Sequence, residues 1–86
     1  MKQTPSPSNE DKTSLLFDYR GLKCPLPVLK ARRALSQLEA GAEITILADD
    51  PAAPLDMAHF CETEGHQLAA SQEEDGFFRF VLIKSS

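Results

Sequence analysis

The fold class this sequence predicts is a two-layer α/β sandwich, a four-stranded mixed sheet with two helices on one face. Three observations lead there. Two stretches repeat apolar residues at helical spacing, and four others are short runs of apolar, β-branched or aromatic residues. They follow one another as β-α-β-α-β-β. The whole fits into 86 residues, a length that supports one core and little more.

Residues 1–14, rich in Pro, Ser, Asn and charge, show no periodicity and read as a disordered extension, so the domain is expected over 15–86. "LLFDY" (Leu15 to Tyr19) is the first strand, and Asp18-Tyr19-Arg20-Gly21 bends the chain towards Cys24. From Leu26 to Glu39, Val28, Ala31, Ala34, Leu35 and Leu38 form one stripe, with Gly41 as the stop, which predicts the first helix. "EITILAD" (Glu43 to Asp49) is a buried strand. The second helix is expected from Ala53 to Glu64, with Met57, Phe60 and Cys61 facing inward and Gly65 ending it. "HQLAASQ" and "FFRFVLIK" then form two strands joined at an Asp75-Gly76 hairpin turn, with Glu73-Glu74-Asp75 as a solvated run.

Charge and composition exclude several function classes. With 13 acidic against 9 basic residues the net charge is -4, which argues against direct nucleic-acid binding, since that needs clustered Lys and Arg. No run reaches the roughly 18 apolar residues of a membrane span, so a soluble chain is expected. Two cysteines make no disulfide framework, and the N-terminus "MKQTPSPSNEDK" lacks an apolar signal region. A reducing, cytoplasmic setting follows. So small a domain also has little room for a deep enclosed active site.

Chemistry concentrates in "GLKCPLPV" (Gly21 to Val28). A residue before proline is pushed into the extended region that an N-cap needs, so Cys24 is expected to cap the first helix, with Pro25 at its first position. Pro27 removes another amide donor, leaving the Leu26 N–H as the backbone group able to reach the sulfur. The positive end of the helix dipole, Lys23 and nearby Arg20 would favour thiolate. Cysteines so placed have pKa values lowered from about 8.5 into the range of roughly 3.5–7.5. On these local features alone, Cys24 reads equally as a nucleophile or sulfur acceptor and as a small residue at a proline-initiated helix start.

Other groups have plainer readings. Cys24, His59, Cys61 and His66 could be drawn as a metal site, but their spacing matches no zinc pattern, and no metal is expected. Cys61 falls on the apolar stripe and reads as core filler rather than a resolving thiol. His66 reads as a capping or hydrogen-bonding residue at a corner rather than a proton buffer. Asp49-Asp50 caps the second helix or faces a partner.

The stretch "FDYRGLKCPLPVLKARRAL", followed by "ILADDPAAPLDMAHFCETEGHQL" and "DGFFRFVLIK", resembles the TusA family of sulfur carriers, also called SirA-like, from about Leu16 to Lys84. The array Asp18, Gly21, Cys24-Pro25-x-Pro27, joined to a later Asp-Asp-Pro, Phe-Cys and Gly-His, carries the likeness. The resemblance implies that Cys24 takes sulfane sulfur as a persulfide, with Gly21, Pro25 and Pro27 positioning it. The donor would be a cysteine desulfurase or another sulfur-donor protein. A downstream acceptor protein would receive the sulfur, in tRNA thiolation, molybdenum-cofactor synthesis or sulfur oxidation. No cofactor is implied, and a carrier of this kind turns over only within a relay. Some relatives have Glu between the two prolines where this chain has Leu26, a departure that bears on partner identity. The alternative is a regulatory or protein-interaction module in which Cys24 only caps a helix.

On a helical projection Leu26 and Leu29 fall opposite the buried stripe, with Lys30 and Arg33. Leu26, Leu29 and Arg33 are therefore the expected docking surface, and Asp49 and Asp50 the next candidates. A monomer is expected.

Overall fold

The computed structural model describes residues 14–85, and the expected N-terminal extension lies, but for Ser14, outside them. The elements are β1 (Ser14–Asp18), α1 (Leu26–Ser36), β2 (Glu43–Ala48), α2 (Ala53–Glu64), β3 (Gln67–Glu73) and β4 (Phe78–Ile83). They form one sheet in the order β1-β2-β4-β3. β1 runs parallel to β2, as a βαβ unit requires, whereas β4 is antiparallel to both β2 and β3.

Alternation along β2 and β4 explains why one sheet face is covered. Ile44 pairs with Leu82 and Ile46 with Phe80, and these four side chains are fully buried under the helices. α1 contributes Ala31 and Leu35 to that core, and α2 contributes Ala53, Met57, Phe60 and Cys61. Phe80, Leu35, Ile44, Ile46, Met57 and Leu82 are the largest fully buried side chains. Each stabilises the fold by about 1.5–3 kcal/mol relative to an exposed position.

α2 has the expected bounds, and Gly65 ends it at φ +84°, in the left-handed region that disfavours residues with a Cβ. α1 ends earlier than its apolar spacing predicts, at Ser36 rather than Glu39. The Gln37 and Leu38 amides turn back to the Ala34 and Leu35 carbonyls, tightening the last turn, while Leu38 stays packed on the core. Lys84 completes that end: its Nζ donates to the Leu35 and Leu38 carbonyls at 2.9 and 2.7 Å. The acidic turn is less solvated than expected, since Glu74 is half-buried and accepts from Arg79 Nε at 3.2 Å.

Candidate functional site

Cys24 lies in the loop between β1 and α1, exposed and unpaired. The local structure differs from the expected cap in three ways. Pro25, not Cys24, is the N-cap residue, it makes no side-chain cap bond, and the Cys24-Pro25 peptide is cis. The Leu26 amide is not aimed at the sulfur; it donates to the Lys23 carbonyl at 2.7 Å. Arg20 is turned to its own neighbour: both Asp18 oxygens bind its guanidinium, at 2.8 and 2.6 Å, and it lies over the Phe77 ring.

The loop is fixed from the far end of β2. Asp49 Oδ1 accepts the Gly21 N–H at 3.0 Å, and Asp50 Oδ2 accepts the Cys24 N–H at 3.0 Å. Asp50 Oδ1 also accepts the Ala52 N–H at 2.8 Å, so one carboxylate ties the cysteine to the turn that starts α2. Asp50 therefore shapes the approach to α2 without being its cap, which is Ala52. These bonds hold the Asp50 carboxyl below its ordinary value, the Ala52 amide contributing most and the Cys24 amide next. Gly21 has φ +91°, where a Cβ would be strained, and it is the residue that turns its amide towards Asp49.

Beside the cysteine, an open groove of about 300 Å³ runs between α1 and α2, lined by Cys24, Pro25, Val28, Arg32, Asp56, His59, Phe60, Thr63 and Glu64. Arg32 and Glu64 bridge it with an N···O distance of 3.7 Å. The Asp56 carboxylate shares this groove with the Cys24 thiol. Its pull on the thiol proton, then desolvation, then the charges of Asp56 and Asp50 push the thiol above its ordinary value. The expectation of a lowered thiol pKa is thus overturned, because two carboxylates stand where the helix dipole and Lys23 were expected to govern.

Of the other predicted site residues, Pro25 lines the groove and Pro27 is a buried residue in the first turn of α1. Leu26 and Leu29 are 44% and 47% exposed, and Arg33 is exposed as well, but none of the three lines the groove. They form a separate face of the same helix. Sequence reasoning missed Asp56, Arg32, His59, Thr63 and Glu64. On α2, Asp56, His59, Thr63 and Glu64 fall at i, i+3, i+7 and i+8, and that spacing was the available signal. Cys61 is 3% exposed, and burial pushes its thiol up to about 11. His66 is a corner residue whose Nδ1 accepts the Ser85 amide at 3.2 Å. Among the described residues no group of three or more His, Cys, Asp and Glu side chains could hold a metal ion, and no helix is long and apolar enough to cross a membrane.

Fold and site together define a small two-layer α/β protein that presents an accessible thiol, its backbone amide held by Asp50, beside an open cleft. Residues 16–84 match the family model described as sulfurtransferase TusA. The chain belongs to the TusA family of sulfur carriers. It is 38% identical over 69 residues to the sulfur carrier protein TusA of Allochromatium vinosum, covering 80% of this chain and 91% of that protein. A Neisseria meningitidis serogroup A protein, named as a candidate sulfur carrier, is 48% identical over 66 residues, covering 77% of this chain and 89% of the relative. The crystal structure of a SirA-like protein from Desulfitobacterium hafniense superposes with a TM-score of 0.73 at 27% identity, over 84% of this chain and 99% of that one.

Proposed function

We propose that Cys24 is the residue on which this carrier holds its sulfur. The observation that carries the assignment is the contrast in access: Cys24 is exposed at the mouth of a groove, whereas Cys61 is sealed in the core. Acceptance is a thiol exchange. The Cys24 sulfur attacks the terminal sulfur of a donor persulfide, a new S–S bond forms, and the donor's S–S bond breaks. The electron pair leaves on the donor's inner sulfur. That sulfur takes up one proton as Cys24 loses one, so Cys24–SH and R–S–SH become Cys24–S–SH and R–SH without any oxidant. Donation is the same exchange with the acceptor's thiol as nucleophile.

A carrier role is favoured over a purely structural one because Cys24 is not the cap of α1: the N-cap is Pro25, and no side-chain cap bond is made there. The donor is a cysteine desulfurase or another persulfide-bearing protein, and the setting a reducing cytoplasm in which an exposed thiol persists. For docking, Leu26 and Leu29 offer an exposed apolar pair one turn apart, and Arg33 continues the line with a positive charge. A partner pressed there would exclude water from the transfer and be selected by charge.

The direct test is to incubate the protein with a cysteine desulfurase and free cysteine, then map bound sulfane sulfur by mass spectrometry. Loading on Cys24, absent in Cys24→Ser, is the expected result. Loading of the serine variant at the wild-type level would remove Cys24 from the role.

A further inference from the structure

Within Cys24-Pro25-Leu26-Pro27 only two residues carry a backbone N–H, because proline has none. The Leu26 amide is spent locally, on the Lys23 carbonyl at 2.7 Å. The Cys24 amide is therefore the handle by which the motif can be tied to the rest of the fold, and its partner is Asp50 Oδ2 at 3.0 Å, 26 residues away. β1 and β2 are parallel, so the loops leaving their C-terminal ends lie at the same end of the sheet and bring that carboxylate to the cysteine. Asp50 is fixed on its other side as well. Its Oδ1 accepts the Ala52 N–H at 2.8 Å and its carbonyl accepts the Ala53 N–H at 2.9 Å, both at the start of α2. Among the described residues, the hydrogen bonds that join residues 20–25 to a distant stretch of chain are this one and the Gly21 bond to Asp49.

We propose that Asp50 is a positioning residue for sulfur transfer: by bridging the Cys24 and Ala52 amides it locks the cysteine backbone to the start of α2 and fixes the direction in which the sulfur meets a protein partner. This rests on Cys24 being the sulfur-bearing residue, as proposed above. Exchange at sulfur runs in line, with the attacking sulfur on the extension of the S–S bond that breaks, so direction as well as access limits the rate when the other reactant is itself held in a protein. A small reagent tumbles freely and makes no such demand. Asp50 touches no reacting atom and acts through the Cys24 backbone. A carboxylate of this length suits the bridge, because each of its two oxygens accepts one amide, whereas an asparagine side chain has a single acceptor oxygen and a glutamate sets both oxygens one methylene farther out.

Two variants separate the bridge from the charge: Asp50→Asn removes the charge and one acceptor, and Asp50→Glu keeps the charge and displaces both acceptors. Each is first checked for an unchanged melting transition. Sulfur transfer is then followed in single turnovers at rising concentrations of persulfide-loaded cysteine desulfurase. Both variants should lose about tenfold in the saturating rate, with the half-saturating donor concentration close to the parent's and alkylation by iodoacetamide no slower. A parental saturating rate in either variant would overturn the positioning role, the glutamate variant alone by showing that the charge suffices. A raised half-saturating concentration at an intact saturating rate would overturn it too, by making Asp50 a docking contact, and so would alkylation slowed in proportion to transfer, the mark of a thiol merely withdrawn. The bridge itself is read without sulfur, by following the Cys24 and Ala52 amide proton shifts of the parent through the acid range by NMR. The two should titrate together, with one midpoint below the ordinary aspartate value, and the shared titration should vanish in Asp50→Asn. Amide shifts that do not follow Asp50 would overturn the bridge. A parent that failed to load sulfur would count against the proposed function, and the amide titration would still decide the bridge.

Discussion

The loop that carries Cys24 and the α2 stripe that carries Cys61 raise their thiols in the same direction for opposite reasons. At Cys61 the cause is burial among apolar neighbours, which penalises a thiolate whatever is outside. At Cys24 the leading cause is one carboxylate, Asp56, acting on an exposed thiol. The first restraint lasts as long as the fold does. The second depends on a neighbouring carboxylate and not on burial among apolar side chains. A perturbed thiol does not by itself mark a reactive one.

The largest effect that would break the comparison is on sulfur loading. Cys24→Ser should abolish loading with the melting temperature unchanged, since no side-chain cap is lost, whereas Cys61→Ala should load at the wild-type level. If Cys61→Ala loaded but could not release its sulfur, the core thiol would be a chemical partner and the contrast would fail. A smaller effect sharpens the docking side. Leu26→Glu or Arg33→Glu should slow transfer from the physiological donor several-fold while leaving alkylation by a small reagent unchanged. Normal transfer in both variants would move docking off this face of α1, towards Asp49 and Asp50.

Smaller still are the stability effects. Truncating Cys61 to Ala should cost on the order of 1 kcal/mol, read as a shift in a denaturant midpoint. The pH dependence has a defined sign. The Cys61 thiol is raised from 9.0 to about 11, so the folded state keeps a proton that the unfolded state loses in that window. The contribution is fully present below pH 9.0 and is lost as pH rises towards about 11, so wild type should weaken there more than Cys61→Ala. At the acid end, Asp18 is lowered from 3.8 to about 2, first by the side-chain hydrogen bond from Arg20 and then by the Arg20 amide. Its stabilisation is present above 3.8 and fades as pH falls towards about 2, but both groups are exposed, so Asp18→Asn should barely move the acid transition.

The fold was legible because its signals are local. The Met57, Phe60 and Cys61 stripe and the glycine at position 65 mark α2 without reference to anything distant, and its bounds agree. The end of α1 was less legible, because Leu38 continues the apolar spacing after the backbone has left the helix. At the site, the sequence singled out the cysteine and its motif but not the sign of its environment. Helix dipole and adjacent Lys23 are visible in a string of letters. Asp50, 26 residues away, and Asp56, a further turn into α2, reach the cysteine only after α2 has folded back over α1. The Lys84 clamp on the end of α1, reaching back 49 residues to Leu35, was invisible for the same reason.

The strand order has a consequence for biosynthesis. β4, made after the other described strands, sits between β2 and β3 and hydrogen-bonds to both. At a translation rate of about 5–20 residues per second, Ile44 and Ile46 leave the ribosome seconds before Phe80 and Leu82, the side chains they pack beside. Until then only the β1-α1-β2 unit and α2 can form, with the apolar face of β2 incompletely covered. The core thus closes only once β4 has been made, and a nascent chain stalled before Phe78 would present an open sheet edge.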